Sequence, residues 1–118
     1  MNIAEIRAYC LAKKGVTEDF PFDEATLVFK VMGKMFLLTN INDTEISVNV
    51  KCQPDLAIEL REKYSCVQPG YHMNKKMWNT VTCYNEFSEK EFYSMIDHSY
   101  NEVVKGLTKK MQQELADL

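Results

Sequence analysis

The chain has 118 residues, 46% apolar and 26% charged, with six Phe, six Tyr and one Trp. That length leaves no room for two independent cores, and that composition excludes a disordered chain. The net charge of −3 argues mildly against a nucleic-acid partner, but the charge is unevenly spread: residues 15 to 24 hold acids without a base, and residues 63 to 85 hold bases without an acid.

Asn2 is positioned to cap a first helix, with Ile3, Ile6, Cys10 and Leu11 at helical spacing and Gly15 as its stop. Glu18, Asp19, Asp23 and Glu24 mark an acidic linker around Phe20-Pro21-Phe22, where proline enforces extended backbone. Two β-rich runs follow, 26–32 and 35–40, separated by Gly33-Lys34 as a two-residue hairpin loop. Pairing around that loop sets Val31 opposite Phe36 and Phe29 opposite Leu38 on one face, with Val28, Lys30, Met32, Met35 and Leu37 on the other. Residues 45–51 alternate as a third strand, with Ile46, Val48 and Val50 inward.

Pro54 opens a second helix, at the position where its missing N–H costs nothing. Pro69-Gly70 marks a turn, and residues 71 to 84 read as two short strands around Asn74-Lys75-Lys76, the second spanning 77–84. Ser88 and Glu91 form a capping box for a third helix, with Phe87 and Phe92 at the hydrophobic-staple positions. A break near Gly106 precedes a last short helix. The expected fold is therefore α+β and two-layered, one domain over 1–118. A five-stranded antiparallel sheet carries helices in the order α-β-β-β-α-β-β-α(-α).

No catalytic, cofactor or metal signature emerges. Asp97-His98-Ser99 lies within a helix, where successive side chains diverge by about 100° and cannot converge on one substrate. Four isolated glycines exclude a phosphate loop. Cys10, Cys52, Cys66 and Cys83 include no close-spaced ligand pair, so reduced thiols and no bound metal are expected. Cys52, beside Lys51 at a helix start, is the best candidate for a reactive thiol, although a buried hydrophobe is the commoner role. The N-terminal residues lack a basic segment followed by an apolar run, and no stretch is long enough for a membrane span. The expectation is a cytoplasmic protein with no membrane partner.

Several strings resemble the MmcQ/YjbR-like family: Phe20-Pro21-Phe22, the hairpin at Gly33-Lys34-Met35-Phe36, Lys51 before Pro54, and Pro69-Gly70 ahead of His72-Met73-Asn74-Lys75. Trp78 and the helical His98-Ser99-Tyr100 belong to the same likeness, which runs from about Ile3 to Leu107. The resemblance implies a two-layer fold similar to secretion chaperones and a role in DNA binding. Met77 departs from it, since the family often carries histidine before the tryptophan.

The constellation that fits such a role is Lys30, Lys34, Lys51, His72, Asn74, Lys75, Lys76 and Trp78. Lysines supply phosphate contacts, asparagine can read a base edge, and an indole can stack. The same residues have a purely structural reading: lysines at hairpin tips guard sheet edges, and tryptophan at a strand start anchors a core. A rival function is protein–protein interaction, including a homodimer burying Met32, Met35 and Leu37.

Overall fold

The computed structural model describes residues 2–71, 73–82 and 88–118. Helix α1 (Ile3–Leu11) starts on Asn2, whose side chain accepts the Glu5 N–H at 2.8 Å. Six strands then build one antiparallel sheet: β1 (Val16–Asp19), β2 (Thr26–Val31), β3 (Lys34–Asn40), β4 (Ser47–Lys51), β5 (Val67–Pro69) and β6 (Trp78–Thr82). Their spatial order is β1-β2-β3-β4-β6-β5, so β6 returns between β4 and the edge strand β5. Helix α2 (Pro54–Lys63) links β4 to β5, while α3 (Glu89–Lys105) and α4 (Lys109–Ala116) close the chain. The Ser88 hydroxyl accepts the Glu91 N–H, as the capping box predicts; its staple partner Phe87 lies outside the described residues, as does 83–84 of the expected last strand.

The α+β architecture and the antiparallel sheet agree with expectation, but the sheet has six strands rather than five. The extra strand is β1, inside the segment read as an acidic linker. It pairs Val16 with Val31 and Glu18 with Phe29, and Glu18 meets Arg7 of α1 in an ion pair. The first strand expected within 71–77 instead lies at 67–69, and residues around 74–77 form turns.

The hairpin turn also sits one residue earlier than expected. Met32 and Gly33 both have positive φ (50° and 82°), the geometry that matches the twist of the flanking strands, and Val31 pairs with Lys34. Phe29 then pairs with Leu37 while Lys30 pairs with Met35, so Phe36 is an extra residue in a β-bulge. The bulge turns both Phe36 and Leu37 into the helix-covered core and sends Leu38 to the other face, which reverses the expected sides of Leu37 and Leu38.

The core lies between the sheet and the helices. Phe29, Val31, Phe36, Leu37, Val48, Val50 and Val81 meet Ile6, Cys10, Phe92, Ile96, Val103 and Leu115. Burying each large side chain contributes roughly 1.5–3 kcal/mol. Ser99 of α3, fully buried, donates to the Phe36 carbonyl and accepts the Lys51 N–H at 2.8 Å, tying the helix to the bulge and to the end of β4. The opposite sheet face carries a row running Asp19, Val28, Leu38, Asn49, Thr80, Gln68 across the strands.

Candidate nucleic-acid interface

Consecutive connections in an antiparallel sheet fall at alternate ends, and here that alternation sorts charge. The connections before β1, between β2 and β3, after β4 and between β5 and β6 share one end, marked by Val16, Val31, Lys34, Lys51, Pro69 and Trp78. That end carries Lys13, Lys14, Lys34, Lys51, Lys75 and Lys76. Helix α4 packs there too, because Leu115 lies over Gly15; its Lys109 and Lys110 are offset by Glu114 and Asp117, and Asp55 in the first turn of α2 also stands at this end. The opposite connections, 20–25 and 41–46, hold Asp23, Glu24, Asp43 and Glu45, beside Glu89 and Glu91 at the start of α3. A net charge of −3 thus conceals a basic end and an acidic end.

Four ion pairs occur among the described residues: Arg7–Glu18, Lys13–Asp97, Lys30–Asp19 and Lys105–Glu102. None involves Lys34, Lys51, Lys75 or Lys76. Lys30 reaches Asp19 at 3.3 Å along the sheet, so its charge is partly matched and it separates from the others. Lys51 pairs across the strands with Trp78. The Glu102 carboxyl, held below the usual range chiefly by its bond with Lys105, also feels His98 and Lys51. Lys34 and Lys76 are exposed.

The turn carrying Lys75 and Lys76 is held from inside. Arg61 of α2 donates to the Asn79 side chain at 2.7 Å, to the Trp78 carbonyl at 3.2 Å and to the Lys75 carbonyl. Asn74 accepts the Lys76 N–H at 2.9 Å, and the Lys75 ammonium donates to the Gly70 carbonyl at 3.0 Å. Trp78 is half-buried, with its carbonyl accepting the Gly70 N–H at 2.8 Å. Of the eight candidates, the fold brings Lys34, Lys51, Asn74, Lys75, Lys76 and Trp78 to one end of the sheet; His72 lies outside the described residues. Arg61 was missed from sequence, because nothing in a helix interior announces a side chain that clamps a turn 14 residues away.

The other sequence candidates resolve into packing. Asp97 accepts from Tyr9 and Lys13, His98 Nε2 accepts the Gln53 N–H, and Ser99 points into the core, so the three diverge. Cys10 and Cys52 are buried and unbridged; Cys66 is buried, and Cys83 lies outside the described residues. Burial pushes the Cys10 thiol up to about 12 and the Cys52 thiol up to about 11. We therefore expect neither to be alkylated by iodoacetamide at pH 8 in the native protein, and both to react after unfolding, read by mass spectrometry. A raised folded pKa stabilises fully below the ordinary thiol pKa of about 9, and that stability is lost as pH rises towards 11–12. The urea midpoint should accordingly fall between pH 8 and pH 10.5. Among the described residues, no helix is long and apolar enough to cross a membrane, and no cluster of three metal-ligating side chains occurs.

Comparison with known proteins gives a consistent answer. The family model YjbR matches residues 11–102. The uncharacterised protein YjbR of Escherichia coli is 30% identical over 118 residues, the full length of both chains. The uncharacterised protein YbdF of Escherichia coli is 36% identical over 96 residues, covering 81% of this chain and 79% of the relative. Among solved structures, the Deinococcus radiodurans protein DR2400 superposes with a TM-score of 0.91 at 36% identity, covering 98% of this chain and 88% of that one. A Pseudomonas syringae protein gives 0.71 at 28% identity, covering 84% and 96%.

Proposed function

The chain belongs to the YjbR family, and from that premise we propose that it is a non-enzymatic DNA-binding protein that holds phosphates at its lysine-bearing end. The observation that supports this reading is the segregation of charge by strand connections. Lys34, Lys51, Lys75 and Lys76 share one end of the sheet, outside every ion pair among the described residues. Phosphate recognition needs such a field more than it needs a positive total charge, since contacts form within about a Debye length of 8–10 Å. The Arg61 clamp favours it further, because a pre-ordered turn loses less entropy when it meets a ligand.

The alternative reading, protein–protein association, finds less support at the three residues first expected to carry it. Leu37 is wholly buried in the core, and Met32 and Met35 are half-buried, so these three do not form one exposed surface.

The test is anisotropy with a labelled DNA duplex across a salt series. Four phosphate contacts imply a slope of log affinity on log salt of about −3.6, or roughly 100-fold loss between 50 and 200 mM. Replacing Lys75 and Lys76 by alanine should flatten that slope by about 2 and weaken all duplex sequences alike. Salt-independent binding, or a slope untouched by the double change, would sink the proposal.

A further inference from the structure

On the sheet face away from the helices lies a trough of about 560 Å³, well within the size range of small-ligand sites. Leu38 forms part of its floor, and Phe22 and Tyr71, 62% and 67% exposed, stand on its rim. Phe22 comes from the β1–β2 connection at the acidic end. Tyr71 comes from the β5–β6 connection that carries Lys75 and Lys76. The Phe22 ring, kept this far in water on the rim of a cavity, offers a π-face to a planar ligand.

The polar groups are set for a ligand of mixed character. Thr80 Oγ1 accepts the Tyr71 N–H at 2.9 Å and donates to Asn49, whose amide reaches the Tyr71 carbonyl at 3.3 Å. Those two side chains hold the rim. Asn40 and Asp43, also lining the trough, lie at its acidic end; the Asn40 oxygen accepts the Asn42 N–H, while its amide hydrogens and the Asp43 carboxylate face no partner among the described residues. Thr39 pairs with Val48 and Val48 with Val81, so Asn40 stands one residue beyond that level, near Thr82, which is four residues along β6 from Trp78 or about 13 Å at 3.3 Å per residue. A nucleotide has that reach: an aromatic base whose amino edge suits a carboxylate, and a phosphate at the far end suited to lysine.

We propose that the trough takes one unpaired nucleotide, its base against Phe22 with its amino edge towards Asp43, and its phosphate towards Lys75 and Lys76. The phosphate half rests on the DNA-binding reading above; the base half stands on the trough alone. It makes the preferred form of the partner single-stranded, because a paired base cannot present its face or its pairing edge.

The experiment compares labelled oligo(dC), oligo(dT) and a duplex of equal length at fixed salt, with Phe22→Ala, Asp43→Ala and the Lys75/Lys76 alanine pair, each checked by circular dichroism. Single strands should bind more tightly than duplex. Phe22→Ala should lower single-strand affinity roughly tenfold and leave duplex affinity unchanged. Oligo(dC) should exceed oligo(dT), and Asp43→Ala should erase that difference. Free CMP that binds in a Phe22-dependent manner would uphold the site and identify a free nucleotide as its source. If Phe22→Ala leaves single-strand affinity intact while the lysine pair lowers it, the trough proposal fails and the phosphate reading stands. If no nucleic acid and no CMP binds, both fall.

Discussion

Leu37→Glu is expected to unfold the protein, whereas Met35→Glu should leave it folded. The two residues lie two apart on β3 and would share a face in a regular strand. The bulge separates them: Leu37 pairs with Phe29 and is fully buried in the core, while Met35 pairs with Lys30 and is half-buried. A carboxylate at Leu37 has no cation within the core and loses the packing of a whole leucine. Such a change costs several kcal/mol, comparable with the roughly 5–15 kcal/mol that stabilises an entire domain. At Met35 the new carboxylate stands across from Lys30. Urea denaturation followed by circular dichroism reads both. Equal tolerance of the two changes would mean that the hairpin pairs without the bulge.

The second large effect is expected at Arg61. Arg61→Met keeps much of the side-chain length but removes the donors to Asn79, Trp78 and Lys75. Asn79 is only 1% exposed, so its side-chain oxygen would be left without its partner inside the fold. Hydrogen bonds from a charged donor contribute about 1.5–3 kcal/mol each, and the loss should exceed 2 kcal/mol in total. Arg61→Lys should fail to rescue, because one ammonium cannot reproduce a fork that serves three acceptors. If the lysine turn binds phosphate, both variants should also lose DNA affinity at temperatures where they remain folded. A stable Arg61→Met protein with unchanged duplex binding would show that the turn holds its shape by itself.

What could be read from the amino-acid order follows the range of the forces involved. Helix starts are local, so Asn2 and Ser88 announced their caps from three residues' context. The hairpin was visible in Gly33, but its register depended on Phe36, and no pattern of alternation reveals an extra residue whose side chain is as apolar as its neighbours. Strand β1 escaped because Thr17-Glu18-Asp19 looks like a solvated linker until Arg7 and β2 are beside it. The basic end was half legible. Each lysine was visible singly, and the alternation of connections gathers Lys34, Lys51, Lys75 and Lys76 even with five strands; Lys13 and Lys14 join them only once β1 is placed. The trough was not legible at all, since Phe22, Leu38 and Tyr71 come from three separated segments.

The two margins of the sheet bear on how the protein behaves when crowded. One margin is β1, four residues long with Glu18 and Asp19 at its end; the other is β5, three residues long and closed by Pro69. A short strand offers few unpaired amides, adjacent carboxylates repel a like copy, and proline has no amide hydrogen to donate. Both borders therefore offer little on which a neighbouring molecule could add a seventh strand. Growth of the sheet into a ribbon of stacked copies is thereby disfavoured at both sides, and light scattering of concentrated solutions should stay constant with time.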